Sequence, residues 1–396
     1  MKWRSRRLGD LATVEHGWPF KSQCFSEAPH DPVVLAIGNF DYSGGFRFDR
    51  STVKRYSGDY PVQYRLAPGD IVLVMTCQTA GGEILGVPAI VPRDGETYLH
   101  NQRIGKVVIA ASDALDRQFF YHWARTPLFN RQLVATASGS KILHTAPGRI
   151  EAASIDLPPI AEQRAMAEVL GAIDDKIAAN TNLVRAADDL SSAHLTRMLA
   201  NSEVAMPLSG LAQFINGKAF TKDATGTGRV VIRIAELNSG IGGSTVYNDI
   251  DVAEHHLARP GDLLFAWSGS LTVHRWSRPE GIVNQHIFKV VPGDGHPMWL
   301  VNGVLRRKLV EFRGIAADKA TTMGHIQRRH LDECVPVPPR DDIARHDLAM
   351  TALWDRALAA EVESLKLTET RDELLPLLMS GKVRVKDAEK AVEEVV

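Results

Sequence analysis

The feature that most constrains this chain is that it repeats itself. Gly17-Trp-Pro-Phe20 returns as Gly217-Lys-Ala-Phe220, each nine residues after a leucine, Leu8 and Leu208. Val33-Val-Leu-Ala-Ile37 returns as Val230-Val-Ile-Arg-Ile234, and Pro68-Gly-Asp70 as Pro260-Gly-Asp262. Asn101–Val108 returns as Asn284–Val291 with six identities in eight, and Leu157-Pro-Pro159 as Val337-Pro-Pro339. Along the chain the offset falls through 200, 197, 192, 183 and 180. Chance matches would scatter. A steady fall means two copies of one domain, the second with shorter loops, because loops are where insertions are tolerated.

Each copy reads as mixed α/β. Short β-branched runs at 33–37, 71–75 and 104–109, and at 230–234, 262–267 and 287–291, are bounded by Gly, Pro and Asp and predict strands. The Pro-Gly-Asp units are turns that feed a strand. Asp113 is placed to cap a helix running through Trp123, and Pro297 to open one through Val310.

A long helical pattern follows each copy, roughly 40 residues or about 60 Å if fully helical. In the first, Met166, Leu170, Ile173, Ile177, Asn180 and Val184 fall on alternating four- and three-residue steps. That is the seam of a coiled coil, with Asn180 either fixing the register or facing solvent. In the second, Met350, Leu353, Ala357, Ala360, Leu367 and Leu374 keep the spacing, while Ser364 and Arg371 weaken one edge. A lone helix with one apolar stripe is unstable in water, so the two stripes should bury each other, antiparallel if the copies are related by a two-fold axis.

The expected fold class is α+β: two similar mixed α/β domains separated by two long helices in an antiparallel coiled coil, with a pseudo-two-fold internal repeat. The expected boundaries are domain 1 at 1–158, a central helix at 159–203, domain 2 at 204–338, a C-terminal helix at 339–380 and a charged tail at 381–396. The last ten residues are expected to be disordered.

Composition sets the outer limits. A chain of 396 residues implies two or three units. No uncharged apolar run is long enough to span a bilayer, and no apolar stretch follows the basic N-terminus as in a secretory signal. Cys24, Cys77 and Cys334 have no metal or disulfide spacing, which fits a reducing cytoplasm. The net charge of −1 argues against a nucleic-acid binder. By segment, however, 1–158 carries +3, 204–340 carries +4, and the rest −8.

The leucine–Gly-x-x-Phe openings, the Pro-Gly-Asp turns, Asn284-Gln-His-Ile-Phe-Lys-Val, Leu157-Pro-Pro-Ile-Ala-Glu-Gln163 and the closing Leu378-Met-Ser-Gly-Lys-Val-Arg-Val385 carry a resemblance. In this order, twice over, the chain resembles the specificity subunits of type I restriction-modification systems over nearly its whole length. The resemblance implies a DNA-binding protein without catalysis of its own. Two target-recognition domains would each read half of a bipartite, asymmetric site in double-stranded DNA. The helices would set the spacing and bind two modification subunits, adenine methyltransferases, with restriction (translocase) subunits joining them. S-adenosylmethionine, ATP and Mg²⁺ would belong to those partners and not to this chain. One departure stands out: Val337-Pro-Pro-Arg-Asp-Asp342 replaces the Glu-Gln form, which bears on whether both helices meet their partners alike.

Base edges are read by hydrogen-bonding side chains, and phosphates by Arg, Lys, Ser, Thr and backbone N–H. The candidates in domain 1 are Lys21, Tyr42, Ser43, Thr76, Gln78, Thr79, His100, Asn101, Gln102, Arg103, Ser138, Ser140 and Lys141. In domain 2 they are Lys218, Lys222, Asn238, Ser239, Trp267, Ser268, Ser270, Asn284, Gln285, His286, Thr321, Thr322 and His325. The Asn-Gln pairs stand in both copies, so they suit a framework, whereas divergent loop residues suit readout. Arg149 and Arg306-Arg-Lys308 are candidates for phosphates or for a solvated surface. Trp18 and Trp267 suit the core better than base stacking.

Catalytic constellations are missing. Neither Pro-Pro element carries the aromatic residue of a methyltransferase, and Asn216-Gly-Lys-Ala219 lacks the leading glycine and the hydroxyl of a nucleotide cradle. Asp70 and Glu83 have no following lysine to suggest a nuclease. His255-His256 has no partner at ligand spacing and reads as surface loop, so no metal is expected. The rival to DNA reading is a scaffold or decoy that binds modification subunits only.

Overall fold

The computed structural model describes residues 3–48, 53–200, 202–318 and 324–395. Contacts divide the chain into two compact units, Met1–Asp175 with Thr368–Val396, and Lys176–Leu367. Each unit therefore holds one copy of the repeat and a part of each long helix.

In the first unit, Arg4–Arg7 pairs antiparallel with Ser154–Leu157 and closes the copy on itself. One sheet runs in the order Ala12–His16, Ile104–Ile109, Ile71–Val74, Pro88–Ile90. The other runs Phe25–Ser26, Lys54–Tyr56, Val33–Val34, Tyr98–Leu99, Arg65–Leu66, with Val33–Val34 and Tyr98–Leu99 parallel. Ile71–Val74 is buried on both faces, as its unbroken apolar run requires.

The second unit repeats this plan. Ala205–Pro207 pairs with Cys334–Pro336. One sheet runs Ala212–Asn216, Ile287–Pro292, Leu263–Ala266, Thr272–Arg275. The other runs Tyr247–Asn248, Arg229–Ile232, Gly281–Val283, Leu257–Ala258, again with one parallel pair. The strands stand at the repeated sequences but are shorter than several of the apolar runs. One large length difference between the main sheets lies in a single short connection, residues 75–87 in the first unit against 267–271 in the second. It coincides with the fall in offset from 192 to 183.

The glycine of the Gly-x-x-Phe opening has a mechanical reason. A Cβ on Gly17 would collide with the carbonyl oxygen of Asn101, and one on Gly217 with those of Val283 and Asn284. The next residues form matching bridges, Trp18 with Asn101 and Lys218 with Asn284. Two motifs far apart in sequence are thus one backbone crossing, built twice.

The helix expected from Asp113 runs Arg117–Ala124, because Asp116 is the residue that caps it, its carboxylate accepting from the backbone N–H groups of Gln118 and Phe119. The helix expected to end at Val310 continues, Met298–Asp318. Its Trp299, Leu300, Val304, Leu305 and Phe312 are buried in the core of the second unit. The charged tail forms a further helix, Val385–Glu393, with Ala388 fully buried, so the expectation of disorder there does not hold.

The two long helices run Ile160–Leu199 and Arg340–Met379. In the first unit Met166, Leu170 and Ile173 are buried, as are Leu374 and Leu378. In the second unit Asn180, Met350, Ala357, Ala360 and Leu367 are buried, and Ile177, Val184 and Leu353 half-buried. The seam continues past its sequence-level end through Ala187, Leu195 and Met198. Asn180 Nδ2 donates to Glu363 at 2.7 Å, so it faces the partner helix and not solvent. His194 lies 6.3 Å from His346, so partner numbers fall as the first helix advances. Within this unit the helices pair antiparallel.

Arg371, which reads as a break in the stripe, is buried. Its Nη1 sits 2.9 Å from Asp174, and its Nη2 2.8 Å from Asp372. A paired charge occupies the seam position that an apolar residue would otherwise take.

Candidate nucleic-acid interface

The candidates of the first copy converge because two loops meet beside the Asn101 crossing. Tyr42, Gln78, Asn101 and Arg103 line one open groove of about 640 Å³, together with Arg47, Lys54, Asp41 and Ile84. The Asn101–Arg103 turn is held by its backbone: Gln102 N–H donates to Trp18, and Met75 N–H to the Arg103 carbonyl at 2.9 Å. Asn130 fixes the 75–87 loop by donating to the carbonyls of Gly82 and Leu85, 3.0 and 2.9 Å away. Asp41 is occupied by Ser43, whose backbone N–H and hydroxyl both donate to it. Among the described residues, the Arg103 guanidinium has no ion pair or hydrogen bond, and it is exposed.

Other candidates of this copy are used inside the fold. Thr76 is buried, its hydroxyl 3.0 Å from His144 Nδ1. His100 is buried, its Nε2 2.8 Å from the Ile104 carbonyl; burial lowers its affinity for a proton. Both are therefore removed from any ligand by packing. Thr79 donates to Glu83, and this bond holds the Glu83 carboxyl below its ordinary value. Lys21 and Gln102 are exposed. Ser138, Ser140 and Lys141 form an exposed hairpin tip in which Ser138 pairs with His144 through its backbone.

The second copy presents its candidates differently. Lys218, Lys222, Asn238, Ser239, Ser270, Gln285 and His325 are exposed. Ser268 is buried, with its hydroxyl 3.1 Å from His286 Nδ1. Trp267 is half-buried; its Nε1 donates to Asn216 at 2.9 Å and its ring lies 5.7 Å from His286. Asn284 is buried, with its Oδ1 unpartnered among the described residues. Thr321 and Thr322 lie outside the described residues.

Three further readings change. Lys308 is buried and paired with Glu311 and Glu333, at 2.6 and 2.7 Å, so it is not a phosphate grip. Arg306 donates to Asn302, and Arg307 to Thr196. His256 is buried against Phe220, because the short helical turn before Leu257 folds inward, and only His255 stays on the surface. Among the described residues, no group of three or more His, Cys, Asp or Glu could hold a metal ion, and no helix is long and apolar enough to cross a membrane.

Sequence reasoning missed Arg47 and Lys54, which lie in a stretch that the repeat does not cover. It also missed two arginines that bind the copies to the helices, Arg125 and Arg275. Arg125 Nη1 lies 2.5 Å from Asp174. Burial alone would raise the Asp174 carboxyl, but Arg125 and Arg371 outweigh it and hold it below its ordinary value. The neighbouring His122 is pushed down to about 4 by burial and by Arg125, so it is neutral. In the second unit Arg275 is buried, 2.9 Å from Glu361 and 3.4 Å from Asp188, with its guanidinium 4.5 Å over Trp354. The signal for Arg275 was there: period-two alternation puts it on the inward face with Val273.

The Glu-Gln departure also has a structural reason. Gln163 is buried and accepts from Asp116 N–H while donating to the carbonyls of Ala114 and Pro158. At the same place in the second repeat, Ile343 is buried in an apolar cluster. The difference is internal packing.

Residues 1–185 match the family described as type I restriction modification DNA specificity domain. The chain is 28% identical over 177 residues to the type I restriction enzyme MjaVIII specificity subunit of Methanocaldococcus jannaschii, covering 44% of this chain and 40% of the relative. It is 24% identical over 168 residues to the EcoBI specificity subunit of Escherichia coli, covering 42% and 31%. The chain thus spans well under half the length of these relatives. The crystal structure of a type I restriction-modification S subunit from M. genitalium shares the fold, with a TM-score of 0.61, 13% identity and 96% of each chain covered. The similarity to the type I restriction-modification specificity domain thus covers the first copy of the repeat and the first part of the long helix that follows it.

Proposed function

We propose that this chain is the DNA-reading subunit of a type I restriction-modification complex and has no catalytic chemistry of its own. Each copy reads one half of a bipartite, asymmetric site. The paired helices set the distance between the halves and receive two adenine methyltransferase subunits. S-adenosylmethionine, ATP and Mg²⁺ act on those partners and on restriction subunits, in the cytoplasm.

The observation that carries this reading is a duplicated frame with diverged surfaces. The second sheet differs by one added edge strand, Phe25–Ser26, but the order of the main four-stranded sheet and the Gly–Asn crossing are the same in both copies. The exposed loop residues are not: Gln78 and Thr79 stand where the second copy has Ser270 and a much shorter connection. Two different half-sites need two non-identical readers on one plan.

Mobility shift of the complex with its modification subunits, titrated against salt, tests the reading. DNA reading predicts sequence-selective binding with a steep salt slope, and adenine methylation at the bound site. The scaffold alternative, which the net charge of −1 favours, predicts assembly with the modification subunits and no salt-dependent DNA binding.

A further inference from the structure

We infer that Arg103 is a base-reading residue of the first copy and that the base it reads is a guanine. The inference rests on the DNA-reading proposal above and deepens it. Three observations carry it.

The first is the comparison of the copies at one place. Asn101-Gln-Arg-Ile104 and Asn284-Gln-His-Ile287 are the same four-residue frame, identical at all but one position. The asparagines make the same backbone crossing in both units, and the isoleucines are buried in both. What the frame holds constant is architecture. The position it leaves free carries Arg103 in one copy and His286 in the other. A phosphate grip has no reason to differ between copies, because the backbone of DNA is chemically uniform; a reader has every reason to differ.

The second is geometry. Arg103 lines the groove with Gln78 and Tyr42, and its guanidinium is unengaged among the described residues. Its backbone carbonyl is fixed by Met75 N–H at 2.9 Å. A reader must start from a rigid root to discriminate among base edges. His286 is instead tied down, its ring nitrogens near Ser268 Oγ and Gln285 at 3.1 and 3.2 Å.

The third is chemistry. A guanidinium offers only donors, in a planar fork. In the major groove, guanine alone presents two adjacent acceptors, O6 and N7. Adenine pairs an acceptor with a donor, thymine offers one acceptor, and cytosine a donor. An arginine reader therefore selects guanine.

The test uses the full chain assembled with its modification subunits and a randomised DNA duplex library, with retained duplexes sequenced at two or more salt concentrations. The wild-type complex should retain a fixed guanine in one half-site. Arg103→Lys keeps the charge and loses the fork. It should lose preference at that one position, roughly 10- to 100-fold, and leave the other positions and the salt slope as they were. Arg103→Ala should lose the same position. Uniform weakening on all sequences in both variants, with a salt slope reduced by about one in Arg103→Ala, would mean a phosphate contact and overturn the inference. Unchanged preferences, or a change at a base other than guanine, would overturn it equally. If the wild-type complex retains no sequence preference, the DNA-reading proposal itself fails, and this inference falls with it.

Discussion

The two copies share a frame but fasten to the helix pair with opposite charge arrangements. In the first unit two cations, Arg125 and Arg371, close on one carboxylate, Asp174. In the second, one cation, Arg275, closes on two carboxylates, Asp188 and Glu361, and lies on Trp354. Duplication preserved the order of the main four-stranded sheet and the Gly–Asn crossing, where one backbone runs against another and little can change. It did not preserve the fastening. Any arrangement that leaves no buried charge alone serves there.

The sharpest way to break that comparison is to remove the shared ion at each fastening. Arg275→Ala leaves Glu361 and Asp188 facing each other and should destabilise the second unit by about 3–5 kcal/mol. Asp174→Ala leaves two buried guanidiniums and should do the same to the first. Denaturant unfolding of each variant measures both, and near-neutral behaviour at either site would make that network ornamental. Acid adds a check. Asp174 is held below its ordinary value, so its contribution is present above the unfolded carboxyl value of about 4. It is lost only as pH falls through the lower folded value.

The crossing should behave alike in both copies. Gly17→Ala and Gly217→Ala each push a methyl group into a carbonyl, and each should cost about 2–3 kcal/mol. Thermal unfolding in which one substitution is tolerated and the other is not would show that the crossings are not equivalent.

A reciprocal exchange sharpens the contrast at the start of the helices. Gln163→Ile strands one N–H and two carbonyls, and Ile343→Gln buries an amide in an apolar cluster. Each should cost about 1–3 kcal/mol, although each imports the residue that its counterpart favours. Smallest is Asn180→Ala, which removes one bond to Glu363 and should cost about 1 kcal/mol. Helix register, followed by cross-linking of engineered cysteines, should become less uniform.

Much of this was legible in the sequence because what repeats is what packs. Gly17, Asn101 and the apolar steps from Met166 to Val184 are visible as pattern, and the structure gives each a mechanical cause; in the Pro-Gly-Asp turns the Asp70 and Asp262 carboxylates accept from the backbone N–H groups of Ala67 and Arg259. Arg371 was not legible, because a charge in an apolar stripe reads as an interruption until its counter-ion is seen; for Arg275 alternation marked the inward face but not the carboxylates it meets. His256 read as surface because burial of a lone histidine leaves no periodic trace. Groove residues such as Arg47 and Lys54 come from a stretch without a repeated sequence motif, and only the fold places them in one groove with Gln78 and Arg103.

Each copy begins and ends on one antiparallel strand pair, Arg4–Arg7 with Ser154–Leu157 and Ala205–Pro207 with Cys334–Pro336. The chain enters and leaves a copy side by side, as through a clasp. Whatever is lengthened or rewritten between the two strands stays local and does not pull on the helix that follows. The 75–87 loop could grow while both long helices kept the same 40 residues. Mechanical insulation of this kind lets the interior of a copy drift in length and sequence while the helix that leaves it keeps its own.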